Sequence, residues 1–326
     1  MTPNRSRDTA WFDTYATTKN GWIKTRLGDA NSPGDQENLI SKVRETTSKC
    51  GLDLDKLVST LSSTRGIVSG SAVLLMITNL KFTPGDIDLY VPESQEDRSI
   101  ALILRDHGFV LTKSMKPLYD NTTIKAVHWL EKGEKTMNIM VVKGENAVLA
   151  IFQFHSTIVM NFLSSTGIYC AYPSLTIVNW ALPNLPIMLR EIAADGRCRE
   201  CYDKYRACGI TFENDPRNFD PQANHICYQD SHCPMTIRTT RDGRGRYVEL
   251  FLSSEIESEV GWQHKSMVIW SLGGPICGSP NHYHDAFSTS VDIIRKMVKT
   301  SNITPSDTDL ATFTTRYRWV EVYTVT

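Results

Sequence analysis

Alternating hydrophobic and polar residues predict a strand, a tight turn, a helix and a second strand in the first third of the chain. An apolar run leads into Gly70-Ser71, and the apolar stretch 72–77 that follows is typical of a helix. A polar-apolar alternation of period two then begins at Asp86. Because alternate side chains of a strand leave the same face, Asp86 and Asp88 are predicted to lie side by side.

The flanking segments predict helices and a further pair of strands. Apolar residues at helical spacing indicate two short helices over residues 36–62, and a helix over 94–107 with Ser94 as its N-cap. Segments 123–130 and 135–142 alternate like strands and are predicted to form a hairpin. The sequence therefore predicts an α/β (α+β) fold, with a small mixed β-sheet flanked by helices.

The second half of the chain is less regular. A predicted hairpin over 236–252 turns at Asp242-Gly243, a helix is predicted at 291–298, and a strand at 317–325. The predicted organisation has four parts: a flexible N-terminal arm (1–35), a first α/β domain (36–180), a helical connector (181–215) and a C-terminal α+β region (216–326).

Composition and charge restrict the compartment and the partners. The net charge is -1, so no global field attracts nucleic acid or a membrane surface. The polar N-terminal segment lacks the apolar core of a secretory signal, and no stretch has the roughly 20 apolar residues that span a bilayer. Eight cysteines without a signal are expected to be reduced thiols. We expect an intracellular protein, cytoplasmic or nuclear, with no membrane partner.

The two aspartates are candidate metal ligands. Phosphoryl and nucleotidyl transfer use a metal to bridge phosphate oxygens, and Mg²⁺ prefers carboxylate ligands held on a rigid element. Asp86 and Asp88 have that chemistry and spacing. Backbone N–H groups at Gly70 and Ser71, where a strand turns into a helix, are candidates to contact phosphate.

The order of apolar strand, Gly-Ser, helix and Asp-x-Asp resembles the nucleotidyltransferase-fold superfamily, the polymerase-beta-like transferases. The resemblance rests on Val68-Ser69-Gly70-Ser71 and Asp86-Ile87-Asp88. It implies a nucleoside triphosphate bound with Mg²⁺ or Mn²⁺, and transfer of a nucleotidyl group to an acceptor that the sequence does not identify. The run 154–161 also resembles a group of uncharacterised fungal proteins, a likeness that implies no activity.

The resemblance also implies a third carboxylate on a neighbouring strand, and here the chain departs from the pattern. The matching position is Asn138, which offers an oxygen to a metal but carries no charge and cannot accept a proton. Glu131, Glu134 and Glu145 are the alternatives if the strands pair in another register.

Three functions therefore stay open from the sequence. The first is a metal-dependent nucleotidyltransferase with Asp86, Asp88 and Asn138 in its site. The second is a catalytically degenerate binding or interaction module that keeps the same scaffold. The third is a cation bound by Asp86 and Asp88 purely for structure, in a site closed to solvent.

A cluster of cysteine and histidine residues suggests zinc as a further alternative. Its spacing is irregular, and cysteines in the predicted helix at 197–207 are also explained as core thiols. If zinc is bound, the predicted ligands are Cys201, His225, Cys227 and Cys233.

Several other residues are weaker candidates. His155 lies in an apolar run and is expected to be a hydrogen-bonded core histidine. A metal clip at His282 and His284 and a thiol nucleophile at Cys277 have no supporting partner in the sequence. Nucleic acid is a possible partner but not the favoured one. Basic residues that could contact a phosphate backbone recur around the predicted hairpin tip, at Arg238, Arg241, Arg244 and Arg246.

Overall fold

The computed structural model describes residues 33–116, 123–184, 197–215, 229–234, 236–251, 267–272 and 322–325, with the single residues 218 and 226. Three predictions lie outside these residues: the arm up to residue 32, the helix at 291–298, and the first part of the strand at 317–325. Within the described residues, no helix is long and apolar enough to cross a membrane.

The fold is α+β, as predicted. Its α-helices are α1 (Pro33–Lys49), α2 (Leu54–Thr64), α3 (Ser71–Ile77), α4 (Glu96–His107), α5 (Pro173–Thr176) and α6 (Arg197–Ala207). Its strands are β1 (Ile67–Ser69), β2 (Ile87–Pro92), β3 (Val110–Met115), β4 (Ile124–Lys132), β5 (Lys135–Val142), β6 (Asn161–Leu163), β7 (Gly167–Cys170), β8 (Trp180–Ala181), β9 (Thr211–Phe212), β10 (Arg238–Thr239), β11 (Arg246–Glu249), β12 (Met267–Trp270) and β13 (Val322–Val325). Short 3₁₀ helices cover Glu93–Gln95, Ala147–Gln153 and Thr157–Val159.

Eight strands form one mixed sheet in the order β11-β7-β6-β1-β2-β5-β4-β3. At its centre, β1 is antiparallel to β2, and β2 is parallel to β5. The predicted hairpin of β4 and β5 is confirmed. Strand β11, which belongs to the predicted C-terminal region, is an edge strand of this same sheet.

The sheet has a hydrophobic core on each face. On one face, Leu89 and Ile139 pack in a cluster with apolar residues of α1, α2 and α4. On the other, Tyr90 packs with residues of the 3₁₀ helix Ala147–Gln153 and with Trp270 of β12. Asp88 and Asn138 belong to this second face, because they alternate with Leu89 and Ile139 along their strands.

Helices α1, α2 and α4 lie in the segments where helices were predicted, but α1 and α4 begin at other residues than expected. Helix α1 begins at Pro33, earlier than expected, and α2 is capped by Asp53, whose side chain accepts a hydrogen bond from Lys56 N–H. Helix α4 begins at Glu96, so Ser94 is not its N-cap. The Ser94 hydroxyl instead donates to Glu145 at 3.0 Å.

The predicted hairpin over 236–252 is wrong. Strand β10 pairs with β12 in a separate three-stranded sheet, whereas β11 pairs with β7. The physical reason is Arg238, whose side chain is almost fully buried and ion-paired with Asp242. The Arg238 guanidinium also lies over the rings of Tyr172 and Trp270. These contacts stabilise the position of β10 beside β12, where it does not pair with β11.

Candidate metal and nucleotide site

The register of three central strands brings the predicted site residues into one row. Ser69 of β1 lies opposite Asp88 of β2, and Asp88 lies opposite Asn138 of β5. Residues that are paired in this way point to the same face of the sheet. Asp86 immediately precedes β2, and the intervening Ile87 is fully buried on the other face. The predicted placement of the two aspartates on one face is confirmed.

Asn138 joins the two aspartates. Its side-chain nitrogen Nδ2 donates to Asp86 Oδ2 at 2.7 Å and to Asp88 Oδ1 at 2.8 Å. Asn138 is buried, whereas both aspartates are partly exposed. One amide group therefore holds two partly exposed carboxylates side by side.

Gly70 makes room for Asp88. Its backbone has φ 76° and ψ -151°, a region that is essentially restricted to glycine. A Cβ atom at this position would meet Asp88 Oδ2 at 2.8 Å, closer than real Cβ contacts allow. The turn between β1 and α3 thus needs glycine for its conformation and for the approach of the carboxylate.

The start of α3 leaves backbone donors next to Asp88. The first intrahelical bond runs from Leu74 N–H to Gly70 C=O, so the N–H groups of Ser71 and the two residues after it have no partner within the helix. Ser71 itself is buried. These N–H groups can act as hydrogen-bond donors. Because α3 has only seven residues, we expect its helix dipole to add little.

The carboxylate pair changes the acidity of Asp88. Burial, and next the negative charge of Asp86, raise the pKa of Asp88 from 3.8 to about 7. The hydrogen bond from Asn138 and the ammonium of Lys204 act in the opposite direction, but they do not compensate. At neutral pH, Asp88 is therefore divided between its neutral and charged forms, and a bound cation would favour the charged one.

Helix α6 borders the site on one side. Tyr205 packs with Leu74 of α3 in one small core cluster. Burial raises the pKa of Tyr205, and the charge of Asp88 contributes, so the phenol lies within electrostatic range of the carboxylates. Lys204 is exposed and is the nearby cation that acts on Asp88.

His155 lies against the same helix. Its ring is 5.3 Å from that of Tyr202 and 5.6 Å from that of Tyr205. Burial, and to a smaller extent Lys204, lower the pKa of His155 to about 4, so the imidazole is neutral at pH 7. The expectation of a hydrogen-bonded histidine is wrong for Nδ1, which is buried without a partner among the described residues.

The pair of aspartates fits a divalent cation, but the site lacks a third carboxylate. Two partly exposed carboxylates supply the hard oxygen ligands that Mg²⁺ or Mn²⁺ prefers, and rotation of the Asn138 amide would present a third oxygen. A third carboxylate does not complete the set: among the described residues, no group of three or more His, Cys, Asp or Glu side chains is arranged to hold a metal ion.

None of the three alternative glutamates takes the place of Asn138. Glu145 forms an ion pair with Arg65 at 2.6 Å, and Glu131 and Glu134 are exposed at the hairpin of β4 and β5. The parallel register of β2 and β5 is the physical reason, because it sets Asn138 directly opposite Asp88. The alternatives are therefore wrong, and the position matching the third carboxylate is an amide.

The predicted zinc ligands are described only in part. Cys201 is partly buried in α6 and Cys233 is buried, and neither forms a disulfide. His225 and Cys227 lie outside the described residues, as do His282, His284 and Cys277. The zinc prediction stays a prediction.

The basic residues at the predicted hairpin tip do not act together. Arg238 is buried against Tyr172 and Trp270, so it is not available to phosphate. The Asp242 carboxylate also accepts hydrogen bonds from the backbone N–H groups of Thr239 and Arg244. Arg238 is a structural residue, and the expected basic cluster loses one of its four members.

Sequence reasoning missed the contribution of α6. Lys204 and Tyr205 carry no motif and lie more than a hundred residues after Asp88 in the chain. The only signal was the local pattern Tyr202-Asp203-Lys204-Tyr205, in which two tyrosines lie three residues apart on one helix face. Such a pattern indicates a packed helix but not what it packs against.

Comparison of the sequence with protein-family models and with curated proteins gave no match.

Proposed function

We propose that the chain binds a complex of a divalent cation with a nucleoside triphosphate, and that it does so as a binding module of the nucleotidyltransferase type. Asp86 and Asp88 hold the cation, Asn138 orients both carboxylates, and Gly70-Ser71 contacts phosphate. The observation that carries the proposal is the pair of hydrogen bonds from Asn138 Nδ2 to the two carboxylates, at 2.7 and 2.8 Å.

Charge and access support binding at this place. Burial, and next the repulsion by Asp86, raise the pKa of Asp88, and a divalent cation removes that repulsion when it binds. Asp86 and Asp88 are both partly exposed, which argues against a cation held only for structure in a site closed to solvent. The adjacent N–H groups of α3 and the ammonium of Lys204 supply donors for phosphate oxygens.

The same geometry argues against efficient transfer. Attack by an acceptor hydroxyl needs a group that takes its proton, and an amide cannot do so. Asp86 and Asp88 both accept hydrogen bonds from Asn138, and both are assigned to the cation in this proposal. We therefore propose binding as the function, with nucleotidyl transfer as the activity that the scaffold implies and Asn138 disfavours.

We place this function inside the cell, in the cytoplasm or the nucleus. The cysteines at 50, 170, 201, 208 and 233 are free thiols, which is typical of a reducing compartment.

Isothermal titration calorimetry tests the proposal. ATP, GTP, CTP and UTP are titrated into the wild-type protein with Mg²⁺, with Mn²⁺, and with a chelator. We expect binding of at least one nucleotide that requires the metal, and its loss in the double variant Asp86→Asn/Asp88→Asn. Asp203→Asn is the matched control, since Asp203 is an exposed aspartate of α6 that pairs with Arg206.

Two results would contradict the proposal. One is the absence of metal-dependent binding by folded wild-type protein. The other is binding that the double variant retains with unchanged affinity. Pyrophosphate release from the bound nucleotide, measured in parallel, distinguishes the two activities: we expect no release above the level of the double variant.

A further inference from the structure

A second group of hydrogen-bonded polar residues lies away from the aspartates. The hydroxyl Oγ of Ser114 is 2.8 Å from Nδ1 of His128, and Nε2 of the same imidazole is 2.9 Å from Oε1 of Glu96. Ser114 is on β3, His128 on β4, and Glu96 at the first position of α4. A serine, a histidine and a carboxylate thus form one continuous chain of hydrogen bonds.

This chain lies on the opposite face of the sheet from the carboxylate pair. His128 is directly opposite Ile139 of β5, whereas Asn138, the preceding residue of β5, contacts the aspartates. Neighbouring residues of a strand point to opposite faces. The two groups therefore share no side chain and need no common ligand.

The hydrogen bonds fix the tautomer of His128. An ionised carboxylate only accepts hydrogen bonds, so the imidazole carries its proton on Nε2, toward Glu96. The lone pair of Nδ1 is then free to accept the hydroxyl proton of Ser114. A base oriented by a third group and bonded to a hydroxyl is the general arrangement of an activated nucleophile.

Burial and charge favour this arrangement. The His128 side chain is 8% exposed and that of Glu96 is 23% exposed, so water competes weakly for their hydrogen bond. Lys125 Nζ lies 3.4 Å from the other oxygen of Glu96, which compensates the negative charge of the carboxylate. Ser114 itself is exposed, so a substrate reaches its hydroxyl from solvent.

The strand that carries the serine also offers a backbone donor. Strand β3 is the edge of the eight-stranded sheet, and Ser114 and Met115 are successive paired residues of it. In an antiparallel pair, N–H groups point alternately toward the partner strand and away from it. One of these two N–H groups therefore points away from β4 and is a candidate donor to the negatively charged oxygen that forms on a reacting carbonyl group.

We propose that Ser114, His128 and Glu96 form a second site, at which Ser114 attacks carboxylic esters with a small apolar acyl group. The exposed apolar side chain of Leu111, whose partner Leu130 lies on the same face of the sheet as His128, supplies the surface for that acyl group. Ser114 and His128 are the catalytic residues, and Glu96 is a positioning residue.

The reaction proceeds in two balanced steps. Ser114 Oγ forms a bond to the carbonyl carbon while its proton passes to His128 Nδ1, and the ester C–O bond breaks as the leaving alcohol takes that proton. Water then attacks the acyl-serine by the same proton route, which releases the carboxylic acid and restores the Ser114 hydroxyl. No oxidation or reduction is involved.

A fluorophosphonate probe tests the nucleophile, because it replaces its fluoride with the oxygen of an activated serine. Native wild-type protein is expected to be labelled at Ser114, as located by peptide mass spectrometry, about 100-fold faster than heat-unfolded protein. Ser114→Ala abolishes this labelling. His128→Asn lowers its rate to about that of the unfolded chain, with circular dichroism used to verify that the variant is folded.

Glu96→Gln tests the positioning role. It is expected to lower the labelling rate and to change its pH profile while the melting temperature stays within a few degrees, a combination that a purely structural role does not produce.

The matched control is Ser174, whose Oγ is 2.7 Å from His232 Nε2 in another serine–histidine pair. Ser174→Ala is expected to leave labelling of Ser114 unchanged. The proposal is overturned if native protein is not labelled at Ser114 faster than unfolded protein. It is also overturned if folded His128→Asn is labelled at the wild-type rate.

Discussion

Asp88→Asn is expected to stabilise the metal-free protein at alkaline pH. Asp88 has a raised pKa because the fold buries its carboxylate beside Asp86. The asparagine side chain has nearly the same shape, keeps an oxygen that accepts the hydrogen bond from Asn138, and carries no charge. The substitution therefore removes the unfavourable charge with little change in packing. Functional sites commonly retain such unfavourable groups at the expense of stability.

The size of the effect follows from the two pKa values. The pKa of Asp88 is about 7 in the folded protein, against an ordinary value of 3.8 for an aspartate exposed to water. Each unit of difference corresponds to about 1.4 kcal/mol, so ionised Asp88 destabilises the folded state by up to about 4 kcal/mol. Between these pH values the folded chain holds a proton that the unfolded chain has released. Wild-type stability therefore falls as pH rises from about 4 to about 7, and this contribution is constant above that range.

Urea denaturation at several pH values, in the presence of a chelator, measures the difference. We expect Asp88→Asn to have the same free energy of unfolding as wild type near pH 4 and a larger one, by up to about 4 kcal/mol, at pH 8. Asp203→Asn, at an exposed position, should change stability by less than about 0.5 kcal/mol at both pH values. A wild-type-like stability of Asp88→Asn at pH 8, or a gain that is independent of pH, would show that ionised Asp88 does not destabilise the folded state.

Three further substitutions test the structure around the site and the second core. Gly70→Ala should destabilise the protein by about 1–3 kcal/mol in urea denaturation and weaken nucleotide binding. The backbone conformation at this position is unfavourable for alanine, and its Cβ would displace Asp88. An unchanged nucleotide affinity would contradict this expectation. Arg238→Met should cost about 3–5 kcal/mol in the same assay, because it removes a buried guanidinium and leaves the largely buried carboxylate of Asp242 without its counter-charge. A loss below about 1 kcal/mol would show that the ion pair is not structural. Asn138→Asp places a third negative charge beside both aspartates, so Mg²⁺ should raise its melting temperature more than that of wild type; equal shifts would argue against a cation at this position.

The central strands and their site residues were predictable because local signals agreed there. Glycine at position 70, the apolar stretch that became α3, and the alternation from Asp86 each indicated the same strand-turn-helix-strand order. Asn138 was placed correctly because the hairpin of β4 and β5 set its position in the strand. All of these features depend on residues that are close together in the sequence, so local patterns were enough to predict them.

Other features depended on contacts that the sequence does not reveal. Strand β3 was missed because every residue of Val110–Met115 is exposed at a sheet edge, so no buried face imposes an alternation. The hairpin at 236–252 was predicted from its Asp-Gly turn, but the buried pairing of Arg238 with Asp242 decides where β10 goes. Helix α6 approaches the aspartates only through tertiary packing, through Tyr205 and Leu74.

Proton release on nucleotide binding tests most directly whether the cation binds at Asp88, because it reports on the protonation of that carboxylate. Calorimetric titrations of the Mg²⁺–nucleotide complex are compared in buffers of different ionisation enthalpy, at pH 6 and at pH 8.5. Because the pKa of Asp88 is about 7 in the metal-free protein, we expect release of close to one proton at pH 6 and almost none at pH 8.5. Metal-dependent binding with the same proton release at both pH values would show that the cation does not bind at Asp88, and no binding at either pH would contradict the proposed function.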